Sequence, residues 1–310
     1  PEIPALVRKH LTTATLARNH GAARKCTDLG NAERFADDFA GKLLYNATEK
    51  AWYYWDGTRW QRDERQYVNH CARLTVRSIY GEAGVCEDVG RRRELAGWAA
   101  KSESTMHIRG MLELAKSDPQ FSALSSDFDA CPWLFNTPSG TVDLRTGTLR
   151  EHDPADRITK ISPVSYDPAA ADPAEFQFFL YEISDEREEI IEYLRRYLGY
   201  CLTGFTSEQS FLVFHGSGAN GKSTLLRILF HVFGDYALAT PPDTLMVKRQ
   251  AGTATNDLAR LLGARLVSAQ ETEEGQRLSE SRIKAMTGGD TIVARKLYGE
   301  FFEFPATFKI

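Results

Sequence analysis

No stretch of this chain approaches the roughly 18 consecutive apolar residues that a membrane-spanning helix needs, which excludes an integral helical membrane protein. The opening residues, PEIPALVRKH, carry neither an initiator Met nor a signal-peptide pattern. The expectation is a piece of a longer cytoplasmic protein. Cysteine is scarce: Cys26, Cys71, Cys86, Cys131 and Cys201 are odd in number, widely scattered and without a C-x-x-C pair. That argues for reduced thiols and against a zinc site, and the seven histidines form no ligand cluster. Charge of one sign is also missing. With 38 basic and 42 acidic residues the net charge is −4, which argues against a whole-surface electrostatic grip on DNA. Any such contact must be local, in a ring channel or a small patch. The densest basic run, Arg91 to Arg93, reads as a solvated face. Internal repeats and low-complexity segments are absent.

What is present is enough chain, 310 residues and 42% hydrophobic, for two domains with separate cores. Gly216, Ser217, Gly218, Ala219, Asn220, Gly221, Lys222, Ser223 and Thr224 spell GSGANGKST, a complete phosphate-binding loop of spacing G-x-x-x-x-G-K-[ST]. Such a string arises by chance in roughly one chain of this length in a hundred, so its flanks matter. Ser210 to His215 (SFLVFH) reads as a short buried strand, and Thr224 to Phe233 repeats apolar residues at helical spacing. The glycines let successive backbone N–H groups turn inward toward phosphate oxygens, and the helix adds its positive end. Lys222 would reach the outer phosphates, and the Ser223 hydroxyl would sit on the bridging magnesium of ATP. Thr224 is placed either for packing or for the inner phosphate.

Hydrolysis further needs a carboxylate on a neighbouring strand. Ala264 to Glu271 (ARLVSAQE) supplies an apolar extended run ending in acid, about 50 residues beyond Lys222. Glu271 is the first candidate for holding magnesium, with Glu273 as second carboxylate. Gln270 stands where many such ATPases carry another acid, which leaves open how metal holding and water activation divide. Ile283 to Tyr298 gives a helix end, a Gly-Gly-Asp break and an extended stretch with Arg295 and Lys296. It reads equally as a projecting basic hairpin or as a surface turn.

Elsewhere, residues 1 to about 45 look helical, interrupted at Asp28 to Asn31, and Trp52 to Trp60 places an Asp-Gly turn between aromatic runs, a tight hairpin signal. Those aromatics, interleaved with Arg59 and Arg62, could stack on bases; packing across the hairpin is the simpler reading. Residues 66–117 return to helix, and Trp133 to Leu149 form a second meander. Residues 150–174 hold four of the twelve prolines and are the best linker candidate. Asp172-Pro173 then makes a helix start, Asp172 as N-cap, and two helices lead to Gly204.

Seven strings in order carry a resemblance: TDLGNAERF (Thr27 to Phe35), WDGTRW (Trp55 to Trp60), SGTVDLRTGTLREHDP (Ser139 to Pro154), YLGYCLTG (Tyr197 to Gly204), GSGANGKST, QETEEG (Gln270 to Gly275) and TGGDTIVARKLYGEFFEF (Thr287 to Phe304). The chain resembles the phage and plasmid primase-helicase family, related to the poxvirus primase-helicase, whose motor belongs to superfamily 3 of the AAA+ helicases. The resemblance implies an α/β protein: an α+β N-terminal domain over 1–172, a helical collar over 173–205 and a truncated P-loop, AAA+-like core over 206–310. It implies a replicative motor that hydrolyses ATP with Mg2+ between subunits of a homo-oligomeric ring, a hexamer, on single-stranded or forked DNA, with a primase domain upstream. Carried over by position, Lys222, Ser223 and Thr224 belong to the first motif and Glu271 to the second. Asp290, Arg295 and Lys296 fall in the motif that shapes a DNA-facing hairpin, and Lys284 falls where a basic residue approaches the neighbouring subunit's nucleotide. The departure is at Phe308-Lys309-Ile310, inside the expected third strand. The sensor Asn and arginine finger would lie beyond it, and loss of such a finger costs about 10³ to 10⁵ in rate, so poor ATP binding and slow hydrolysis are expected of this piece alone. The competing readings are a non-hydrolysing initiator or adaptor scaffold and a small-molecule kinase. An Asn-ended strand with a following Arg would favour the motor over the scaffold, and the kinase would need an acceptor pocket and a basic lid.

Overall fold

The computed structural model describes residues 24–216, 218, 220–247, 256–270, 277–295 and 301–310. The chain is a mixed α/β protein with several small sheets, and its contacts divide it into two compact units. One runs to Ala130 and takes back Asp153–Thr159; the other comprises Cys131–His152 and Lys160–Ile310. The contacts thus divide the chain elsewhere than at residue 172.

In the first unit, helix α1 (Asp28–Phe39) starts where a break was expected. Thr27 is its N-cap, its hydroxyl accepting the Gly30 N–H at 3.1 Å, so Asp28 to Asn31 is the first helical turn. Gly30 is required there because an added Cβ would lie 2.1 Å from the Lys25 carbonyl oxygen. Strands β1 (Leu43–Asn46), β2 (Ala51–Trp55) and β3 (Trp60–Arg62) follow, then helices α2 (Tyr67–Val85), α3 (Val89–Ser102) and α4 (Thr105–Ala115) and the short strand β4 (Ser122–Ala123). The sheet order is β3-β2-β1-β4, with β4 parallel to β1.

The expected hairpin is β2-β3, closed by the pair Trp55 and Trp60. Asp56 Oδ1 accepts the N–H groups of Thr58 (2.7 Å) and Arg59 (2.9 Å), so four residues turn the chain. Trp52 lies edge-on to Phe35 and Phe121, at 6.2 and 5.6 Å. Its ring is part of the core, as the packing reading anticipated. Arg34 is fully buried, forked onto Glu82 at 2.7 and 2.8 Å.

The second unit opens with the meander β5 (Leu134–Thr137), β6 (Gly140–Asp143) and β7 (Thr148–Arg150). The proline-rich segment after it has little regular structure yet is anchored: Ser162 Oγ donates to the Val232 carbonyl at 2.6 Å. Helix α5 (Ala174–Ile183) begins one residue later than expected, with Pro173 at the N-cap and no side-chain cap from Asp172. Next come α6 (Glu188–Leu202), α7 (Lys222–Phe233), β8 (Ala237–Thr240), the one-turn α8 (Asn256–Ala259), β9 (Leu266–Ala269), α9 (Glu280–Thr287) and the antiparallel pair β10 (Thr291–Arg295) and β11 (Phe301–Pro305). β8 and β9 are parallel. Ser210 to His215 does not form the buried strand expected of it. It is irregular, and Phe211 and Val213 are exposed while Leu212 and Phe214 pack on the core. The period-2 alternation of an extended chain survives, tied by Leu212 N–H to the Ile310 carbonyl at 2.8 Å.

Two buried cations organise this unit. Arg265, 4% exposed, donates through Nη1 to the carbonyls of Pro132 (2.7 Å) and Leu202 (3.0 Å) and through Nη2 to those of Cys131 (3.3 Å) and Leu134 (3.4 Å). Lys309 Nζ donates to the carbonyls of Thr203 (2.5 Å) and Phe205 (3.2 Å) and sits 4.6 Å from the Tyr200 ring centre. Burial pushes the Lys309 ammonium down to about 7, with Arg265 adding to the effect and Cys201 opposing it.

Two outcomes follow from these cations. Arg265→Ala leaves buried carbonyls unpaired and should destabilise the protein by about 3 kcal/mol or more. Arg265→Lys, which keeps the charge and loses the fork, should recover little of this in urea unfolding. For Lys309, the unfolded chain binds more protons than the folded one above the lowered value, so stability attributable to this group rises with pH. The unfolding free energy of wild type relative to Lys309→Met should therefore increase by up to about 3 kcal/mol from about pH 7.5 to 9.5. Cys201, pushed up to about 12 by burial, stays protonated throughout. A difference that does not move with pH would show Lys309 to be charged in an ordinary environment.

Candidate functional site

The glycine loop over 216–224 leads into helix α7, and α5 packs against it. Gly221 adopts left-handed backbone (φ 80°, ψ −9°) and α7 begins at the next residue with no side-chain N-cap. The first-turn N–H groups of α7 therefore face outward without a side-chain acceptor, the arrangement that receives an anion. Gly218 is also left-handed, at φ 100°. Lys222 folds back over the loop, its Nζ donating to Asn220 Oδ1 (2.6 Å) and to the Gly216 carbonyl (3.2 Å). A Cβ on Gly216 would lie 1.9 Å from Asn220 Nδ2, so a larger residue there would displace the Asn220 amide that holds Lys222. Both acceptors of Lys222 are neutral, and phosphate oxygens offer the same ammonium stronger, charge-assisted bonds. The residues present thus fit a polyphosphate. Ser223 and Thr224 are exposed. Thr224 Oγ1 lies 3.4 Å from Arg227 Nη2. Ser217 and Ala219 lie outside the described residues.

The acid-bearing strand is β9, which ends at Ala269 and leads to exposed Gln270. Glu271 and Glu273 fall outside the described residues. Among the described residues no group of three or more His, Cys, Asp or Glu side chains is placed to hold a metal. One hydrogen-bonded layer joins this strand to the loop. β8 pairs with β9; on the other side of β9, Val267 N–H donates to the Lys309 carbonyl (2.8 Å) and Lys309 N–H to the Arg265 carbonyl (2.9 Å), and Ile310 in turn accepts from Leu212. The chain entering the loop and the strand leading to the acids are thus two places apart.

Arg295 ends β10, exposed, with its guanidinium 5.4 Å from the Phe301 ring centre across the β10-β11 ladder. Lys296 and residues 297–300 lie outside the described residues. Asp290 precedes β10 and is exposed. Lys284 is exposed on α9, and its side chain makes no hydrogen bond or ion pair among the described residues.

Sequence reading placed Asn220 in the loop but did not foresee that its side chain holds Lys222, nor the contact that α5 makes with the loop. Ile183 and Phe179 of α5 press on the loop, with a Cβ on Gly221 falling 2.4 Å from Ile183 Cγ2 and 3.2 Å from Phe179 Cε2. The apolar face of α5 was legible in the sequence; its target was not.

Comparison with known proteins gives two family matches, the first of which crosses the boundary between the two compact units. Residues 32–185 match the family described as D5 N terminal like, and residues 214–310 match one described as a family of unknown function (DUF5906). A protein of Acanthamoeba polyphaga mimivirus named "Putative helicase" is 28% identical over 289 residues, 83% of this chain and 29% of that protein. A "Putative helicase" of Frog virus 3 is 30% identical over 34% of this chain and 12% of its own length. A "Putative primase" of African swine fever virus is 26% identical over 58% of this chain and 19% of its own length. These matches support a phage or viral primase-helicase family for the chain. It spans less than a third of the length of each of these relatives.

The Gly221 contact is testable. Gly221→Ala meets both a left-handed backbone and Ile183, whereas Gly218→Ala meets only the backbone, with no atom within 4 Å of its Cβ. Gly221→Ala should cost about 1–3 kcal/mol in urea unfolding and Gly218→Ala less. Equal losses would show that α5 does not constrain the loop.

Proposed function

We propose that this chain is a segment of an ATP-dependent replicative DNA helicase of the primase-helicase type. The observation that carries the reading is Lys222 held at the mouth of a glycine loop, at the uncapped N-terminus of α7. The names of the mimivirus and Frog virus 3 relatives support it. Gly216 to Thr224 would bind ATP, with Lys222 on the outer phosphates and Ser223 on Mg2+. Glu271 would complete the metal site or polarise water, with Glu273 as second carboxylate. The hydrogen-bonded layer that puts β9 two places from the loop entry supports placing these acids near the loop.

The β10-β11 hairpin would carry Arg295 and Lys296 to single-stranded DNA, with Lys284 toward an adjacent subunit of a homo-oligomeric ring. In this reading the core is of the P-loop, AAA+ type, and the protein acts in the cytoplasm of the host cell. Among the described residues no helix is long and apolar enough to cross a membrane. Lys222→Ala in the full-length parent should lower DNA-stimulated ATPase at least about 100-fold and abolish unwinding. Unwinding at the wild-type rate would overturn the proposal.

A further inference from the structure

A second basic feature lies in the first unit, in a cleft of about 500 Å³ walled by the β1-β2 turn, the start of α2 and one face of α4. That volume is within the range of ordinary binding clefts. Four cations line it, Lys50, Arg62, Arg109 and Lys116, against the carboxylates Asp63 and Glu113. The acids are largely committed. Asp63 accepts the N–H groups of Tyr67 and Val68, each at 2.8 Å, capping α2, and Glu113 pairs with Lys116 at 2.5 Å. Arg62 has a loose partner, Glu49, at 3.8 Å.

Lys50 and Arg109 are exposed and make no ion pair among the described residues. From Asn69 at the rim, α2 continues the same stripe through Arg73 and Arg77, at successive four-residue steps, both exposed and likewise without an ion pair. Their field reaches His70, whose pKa is lowered by burial and then by these two arginines. A protein of net charge −4 thus gathers exposed cations at one place, Lys50 and Arg109 at the cleft and Arg73 and Arg77 on the following turns of α2. A cleft of this volume is too small for a duplex and suits a single polyanionic strand. The aromatic rings at the cleft are not offered for stacking: Tyr45 carries Lys116 at 5.3 Å and packs on Trp52 at 5.2 Å.

We propose that this cleft and the α2 stripe bind the phosphate backbone of single-stranded DNA without reading sequence, at a site separate from the nucleotide loop. The contacts are to phosphates, so they position a strand and carry no base information. The proposal does not require ATP.

The test measures anisotropy of a labelled oligothymidylate of about twenty nucleotides, a length that spans more than one binding cleft, with the full chain and with neither ATP nor magnesium. The double variant Lys50→Ala, Arg109→Ala removes two exposed side chains and should fold as wild type by circular dichroism. It should bind about tenfold or more weakly, and its log–log salt dependence should flatten by about 1.4, for two lost phosphate contacts on a single strand. Oligouridylate should behave as oligothymidylate does. Unchanged affinity and slope in the double variant would overturn the inference, as would a polyglutamate competitor as effective as the oligonucleotide at equal charge. Loss confined to Arg295→Ala would overturn it too while leaving the motor reading intact.

Discussion

The guanidinium of Arg265 is the constraint on which the second unit turns. Arg265 enters β9, and its two terminal nitrogens tie that strand to the backbone before β5 and to the C-terminal end of α6 through four carbonyl oxygens. A planar fork is suited to this, since several acceptors are met without reorganising the side chain. Lys309 repeats the device one strand over, holding the chain just after α6 through Thr203 and Phe205. Two buried cations therefore fix where the collar ends relative to the sheet. Such charges are expensive to bury unless their hydrogen bonds are satisfied. The lowered proton affinity of Lys309 records that cost.

From this anchor the collar reaches the candidate site. α6 and α5 share one apolar cluster with α7, and α5 lays Ile183 and Phe179 against Gly221, where no side chain fits. The glycine does two jobs at once. It takes the backbone through a left-handed turn that starts α7 without a side-chain cap, and it admits the collar at van der Waals contact. The geometry of the loop is thus set by helices preceding it in the chain as much as by its own sequence. Lys222, held by two neutral acceptors, is positioned for an anion and loses little on exchanging them for one.

Much of this was legible in the sequence where local chemistry decides. The spacing Gly216 to Ser223 specified loop and helix, Asp56-Gly57 between aromatic runs specified β2-β3, and the apolar run before Gln270 gave β9. The misreadings share a cause in distant partners. Gly30 looked like a break because glycine usually punctuates a helix, whereas here it admits the Lys25 carbonyl inside one. Ser210 to His215 has the alternation of a strand but acquires its tie from Ile310, a hundred residues away. The basic cleft was invisible because Lys50, Arg62, Arg109 and Lys116 are far apart in sequence, and only the fold of β1, β2, α2 and α4 collects them.

The central claim is that Gly216 to Thr224 receives the phosphates of a nucleotide. Titration calorimetry of this chain with magnesium-ATP and with adenosine tests it most directly, because the two ligands share the nucleoside and differ in the phosphates with their magnesium. The account predicts that ATP binds at least about 100-fold more tightly, a difference of roughly 2.7 kcal/mol supplied by the phosphates. Equal affinities, or tighter binding of adenosine, would contradict it.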